Sequence, residues 1–199
     1  MISREEAFKL VTTWTENKQS LPLRGNNLVK HMLCVESAMG GLAKHFGEDE
    51  NLWKIIGLLH DGDYDKYPDK HPQVLIDELE KNPPSSDSVE AGKIIDAIRA
   101  HAFGYNDFNV EPKNNLEWSL YCCDELTGLI VAVALIRPEK SLSVVTVDNV
   151  LSKWNKKDFA KGVERKNIEL CEEKLGIKLN DFIQIVLTSM QGISKDLGL

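Results

Sequence analysis

Six side chains able to bind a metal ion lie in or beside segments whose apolar spacing marks them for burial: His31, the adjacent pair His60 and Asp61, His71, His101 and Asp124. Moving an unpartnered imidazole or carboxylate out of water is costly, so a fold that buries these segments must also supply partners. A chain that draws the six together around bound cations meets that demand.

The backbone available for this is helical. Ser3 followed by Glu6 reads as a capping box opening a helix to about Asn17, with Ala7, Phe8, Val11 and Trp14 on its apolar side. From Asn27 to about Phe46, Leu28, Met32, Val35, Met39 and Leu42 recur every three or four positions, which is helix periodicity. Asn51 to Leu59 reads as a short buried helix with Gly62 just past its end, and DGDYDKYPDKHP as a loop. Helices are expected over Gln73 to Lys81, Val89 to Ala102 (ended by Gly104) and Leu116 to Ile136 (stopped by Pro138). Three more amphipathic segments follow, Thr146 to Trp154, Phe159 to Leu175 and Asp181 to Lys195, with LSVVTV near residue 145 as the one extended candidate. The expectation is an all-α, single-domain bundle of residues 1–199, its metal-binding core at about 27–136 and additional C-terminal helices at about 146–196.

A chain of 199 residues suffices for one substantial core. Cys34, Cys122, Cys123 and Cys171 have no C-x-x-C spacing, so neither a disulfide framework nor a zinc ribbon is expected, and a reducing, cytoplasmic setting fits. The charged N-terminal segment has no signal-peptide core, and the apolar run Leu129 to Ile136 is too short to cross a bilayer. A net charge of −7 and a pI near 5.3 argue against coating a nucleic-acid polymer. Small molecules are the expected partners, with a homodimer also open.

His60 and Asp61 follow the apolar run IIGLL, so the pair sits at the end of a buried helix, where two neighbours a quarter turn apart can grip one ion. His31 shares a stripe with Leu28, Val35, Ala38 and Leu42, and His101 continues the stripe of Ile94 and Ile98. Asp124 lies in line with Leu116, Leu120, Gly128 and Val131, where an ionised carboxylate needs a cation. His45 is on nearly the face of His31, but four turns away at about 21 Å, too far to share an ion. His71, in a KHP loop, is of a kind more often exposed. Glu125 projects to another face than Asp124, as a solvated or supporting group, and Arg99 points away from His101.

The strings LVKHMLCVESAM, WKIIGLLHDGDYDKYPDKHP, IIDAIRAHAFG and LYCCDELTGLIVAVALIRP resemble the HD-domain superfamily of metal-dependent phosphohydrolases over about Asn27 to Ala134, in an uncharacterised bacterial and archaeal branch. The resemblance implies an all-helical fold with a metal held by His31, His60, Asp61 and Asp124. In some branches, including bacterial diadenosine polyphosphate hydrolases, HD-GYP phosphodiesterases and di-iron oxygenases, two intervening histidines bind a second metal. Here His71 and His101 occupy that interval, and Asp61 would bridge the two ions. His71 follows His60 more closely than its counterpart does in some of those branches.

Imidazole with carboxylate suits Fe, Mn, Co, Ni or Zn, as one or two ions per chain. Coordination lowers the pKa of water toward about 7, so the expected reaction is hydrolysis of a phosphate ester or anhydride of a small metabolite, a nucleotide by analogy. Asp61 would take part in catalysis, Asp65 would orient water, Lys66 would neutralise phosphate, and Arg24 and Asn27, two turns and one turn before His31, would reach the substrate. Two alternatives stand beside this reading: a di-iron oxygenase, and a non-catalytic ligand-binding protein.

Overall fold

A computed structural model of the chain describes residues 1–15 and 27–199. The described residues form ten α-helices and no strand: α1 (Arg4–Trp14), α2 (Asn27–Phe46), α3 (Glu50–Leu59), α4 (Gln73–Lys81), α5 (Ser88–His101), α6 (Asn115–Leu135), α7 (Val147–Leu151), α8 (Arg165–Leu175), α9 (Leu179–Gly192) and α10 (Ser194–Leu197). The fold is all-α, as the periodicity predicts. Short polar side chains start several helices by accepting their unpaired backbone N–H groups. Ser3 and Glu6 complete the capping box of α1, Asp49 and Asp87 cap α3 and α5, and Asn114 accepts from the Glu117 N–H at α6.

Helices α2 and α6 organise the core. α2 packs on α3, α6 and α9, and α6 packs on α2, α5 and α8. Met32, Val35, Met39 and Leu42 of α2 are fully buried, as are Leu120, Leu126, Leu129 and Ile130 of α6. The approach of α3 to α2 depends on Gly57. A Cβ there would lie 2.8 Å from the Val35 carbonyl oxygen and 2.9 Å from the Glu36 nitrogen, so only glycine lets the two backbones meet. α6 is also the one described helix long and apolar enough to cross a membrane by length and composition, with a mean hydropathy of 1.4, a property it shares with core helices of its kind. Most of it is buried against its neighbours.

Gly62 lies just past the end of α3, where His60 caps the helix with right-handed angles, and it serves close packing, since a Cβ would sit 3.0 Å from Val11 Cγ1. Three expectations need correction. LSVVTV is not extended. Leu142–Val144 forms one 3-10 turn, and Thr146 then caps α7, because Ser141 and Thr146 side chains capture the local N–H groups that a strand would need. The helix expected from Phe159 starts only at Arg165, because the Arg165 guanidinium donates to the carbonyls of Phe159, Ala160 and Val163 and holds these residues as turns. α1 ends at Trp14, with Thr15 extended, while the Asn17 end expected for it lies outside the described residues.

Candidate metal centre and its cleft

Four elements converge on one cleft. His31 comes from the first turns of α2, His60 and Asp61 from the end of α3, His101 from the last residue of α5 and Asp124 from the middle of α6, with His71 on the loop before α4. Their potential ligand atoms form two triads, His31–His60–Asp124 and Asp61–His71–His101, each with its atoms within 4.8 Å of one another. In the first, His31 Nε2 lies 2.8 Å from Asp124 Oδ1 and 3.3 Å from His60 Nε2. In the second, His71 Nε2 lies 3.1 Å from His101 Nε2. Asp61 joins the two. Its Oδ2 faces His31 Nε2 and His60 Nε2 at 3.6 and 3.5 Å, while its Oδ1 faces His71 Nε2 and His101 Nε2 at 3.3 and 3.6 Å.

The far side of each ring explains this convergence. His60 Nδ1 donates to the Gly57 carbonyl at 2.8 Å and His101 Nδ1 to the Ile98 carbonyl at 2.5 Å. A carbonyl only accepts, so the ring proton of the neutral imidazole sits on Nδ1 and the Nε2 lone pair faces the cleft. His71 Nδ1 donates to Asp63 Oδ1 at 2.6 Å, and His31 Nδ1 faces the Thr127 hydroxyl at 3.4 Å. Thr127 in turn donates to the Asp124 carbonyl at 2.8 Å. Lone pairs facing each other at about 3 Å repel unless a cation or a proton sits between them, and oriented imidazole and carboxylate donors suit a divalent transition metal.

Electrostatics point the same way. Burial alone would lower the His60 pKa, but the carboxylates of Asp61 and Asp124 override it and push it up to about 9. Burial would raise the Asp61 and Asp124 carboxyls, yet His60 and His31, joined at Asp61 by His101, hold both well below the usual range. His101 is lowered, chiefly by burial. For the chelated protein the sign follows. The raised His60 pKa contributes stability that is fully present below about 6.5 and is lost as pH rises through about 9. The chelated protein is expected to lose melting temperature between pH 6.5 and 9, whereas in the metal-loaded protein the ion takes the proton's place and the decline disappears; thermal melts of both across that range check this.

All six sequence-identified metal candidates lie in this cluster. His71 is buried at 3% exposure, contrary to the exposed position expected of a KHP loop. The cause is Asp63, fully buried, which accepts from both His71 and the Leu75 N–H and folds the loop back onto the site. Asp63 was missed by sequence reasoning, although the string HDGDYD holds it two positions after the pair. Replacing it with asparagine is expected to weaken metal affinity at the Asp61–His71–His101 triad by about 10- to 100-fold, the usual cost of losing such a support. Titration of the chelated variant with manganese checks this. Asn106, at φ +46, ties the loop after α5 to the same segment by donating to the Pro68 and His71 carbonyls.

The remaining candidates fare differently. Lys66 lies over the Tyr67 ring at 5.3 Å, and neither Lys66 nor Asp65, both exposed, lines the cleft; the loop turns these charges outward as it turns His71 in. Asn27 is exposed at the start of α2 and does not line it either, and Arg24 falls outside the described residues. Exposed His45 packs on Phe46, and Arg99 pairs with Asp96 and Glu80, away from the cleft. The cleft, of about 550 Å³, is walled by Tyr64, Tyr105 and Tyr121 on its aromatic side. Tyr64 is raised to about 12, chiefly by its hydrogen bond to Tyr105. Glu125 and the turn Gly162, Val163 and Glu164, with Asn167, complete the lining. Glu125 Oε2 accepts from the Glu164 N–H at 3.1 Å, and burial followed by the nearby Asp124 raises its carboxyl to about 7.

The sequence profile of the HD domain matches residues 28–129, just over half of the chain. The chain belongs to the HD-domain family. HD domains form a superfamily of metal-dependent hydrolases that bind divalent metals, and all six clustered His and Asp residues fall inside the matched span. No curated protein and no solved structure matches the chain. The turn that closes the cleft at residues 162–167 follows the end of the HD match.

Proposed function

We propose that the protein is a metal-dependent phosphohydrolase that cleaves a phosphate ester of a small metabolite, a nucleotide in the reading by analogy, with two divalent ions per chain. The observation that carries this is Asp61, whose two oxygens divide between two His/Asp triads opening into one cleft. Bound there, the ions supply Lewis acidity that activates water and neutralises phosphoryl charge. His31, His60 and Asp124 would hold one and His71 and His101 the other, with Asp61 between them. In the hydrolysis the water oxygen bonds to phosphorus, the bond from phosphorus to the leaving oxygen breaks, and the leaving oxygen takes a proton. The protein's own part is positional: Gly57, Ile98, Asp63 and Thr127 fix the rings so that nothing need reorganise when charge develops. The phenols of Tyr64 and Tyr105 stand at the cleft as hydrogen-bond donors for phosphate oxygens.

The test is phosphate release from a panel of phosphate esters by protein loaded in turn with manganese, cobalt, nickel, zinc and ferrous iron. Release that disappears on chelation supports the reading. Uptake of dioxygen by the iron form with no phosphate release under any metal would replace it with an oxygenase.

A further inference from the structure

The cleft is acidic for one that takes a phosphorylated substrate. Beyond Asp61 and Asp124 it is lined by Glu125 and Glu164, and among the described residues no Lys or Arg lines it. Three cations of the flanking segments are committed elsewhere, and Lys161 and Lys166, beside the turn, do not line the cleft. Arg165 is spent on the carbonyls of Phe159, Ala160 and Val163, Lys66 lies over Tyr67, and Lys174 pairs with Glu111 and Glu173 over the Trp118 ring. Lys18 and Arg24 fall outside the described residues.

We propose that Glu125 and Glu164 form a specificity wall that admits substrates with a single phosphoryl group and rejects polyphosphates. This rests on the phosphohydrolase reading and narrows its substrate class. The two ions that Asp61 and Asp124 would help to hold would attract the one phosphoryl group placed directly against them. Further phosphates would have to lie along the cleft, past Glu125 and against the exposed carboxylate of Glu164, with no protein cation in the lining among the described residues; in a recess with low-dielectric walls like charges repel more strongly than in open water. Glu125 is held in place. Its Oε2 accepts from the Glu164 N–H, and the turn runs close to α6, where a Cβ added at Gly128 would lie 3.7 Å from Val163 Cγ2.

The test is calorimetry on the full chain in excess manganese, comparing a non-hydrolysable nucleoside monophosphonate with the matching triphosphate analogue. The wild type is expected to prefer the monophosphonate by about tenfold or more. Glu125→Gln combined with Glu164→Gln is expected to reduce that preference to under about threefold, through tighter binding of the triphosphate analogue, with two manganese ions retained. Glu164→Gln alone changes only an exposed side chain and is expected to give part of the effect in a fully folded protein. Equal binding of the two analogues by the wild type, no binding of either, or an unchanged preference in the metal-retaining double variant would overturn the wall. Phosphate release measured on the same samples separates the two ideas. A preference that the double variant abolishes, with no ester hydrolysed, sinks the hydrolase reading while leaving the wall. Hydrolysis without a preference sinks the wall alone.

Discussion

Replacing Asp61 with alanine is expected to remove both metal ions and lower phosphate release by more than about a hundredfold, beyond the loss that follows removal of an outer hydrogen-bond partner of a ligand. The expectation follows from the geometry. Asp61 is the one carboxylate that faces all four imidazoles, with Oδ2 toward His31 and His60 and Oδ1 toward His71 and His101. Without it the first triad keeps one carboxylate and the second keeps none. Elemental analysis and the phosphate assay on the same preparation check the result. His45→Ala, which alters an exposed ring against Phe46, is expected to spare both. Full metal occupancy in the Asp61 variant would be incompatible with a bridging role.

The second large effect is on stability. Gly57→Ala would push a methyl group into the Val35 carbonyl oxygen and the Glu36 nitrogen, backbone atoms that cannot rotate away. Overpacking of this kind costs about 1–3 kcal/mol, which for a chain of this size corresponds to a fall in melting temperature of roughly 3–10 °C. The consequence reaches the metal centre, because the Gly57 carbonyl accepts from His60 Nδ1. Displacing α3 from α2 therefore turns one ligand as it loosens the core. Thermal melting with and without manganese checks this: the variant is expected to melt lower and to gain less from the ion than the wild type. A variant with an unchanged melting temperature would show that α2 and α3 are not in such close contact.

Much of this was legible in the residue order. The 3.6-residue spacing of Leu28, Met32, Val35, Met39 and Leu42 identifies α2 and sets His31 on its inner side, and Asp124 stands out because an ionised group interrupts an apolar helix. What escaped had a physical reason in each case. Asp63 and Thr127 each meet their histidine ring through one contact, to residues 8 and 96 positions away, and such pairings leave no periodicity to read. His71 stands out least among the six candidates in the sequence because its burial depends on Asp63 turning the loop back, not on any apolar pattern of its own. Lys66 and Asp65 were attractive as neighbours of the His-Asp pair, yet the same turn carries them away from the cleft. Gly162, Val163 and Glu164 of the lining fall in a segment whose spacing predicts helix, since the tie of Arg165 to three upstream carbonyls is a tertiary decision that propensity does not record.

The most direct test of a paired metal centre is the number of ions per chain, measured by elemental mass spectrometry on protein purified without chelator or affinity-column metal and again after reconstitution. The two triads joined by Asp61 require two ions per chain, falling in step when Asp61 is replaced. One ion or none in the reconstituted wild type would contradict the paired centre.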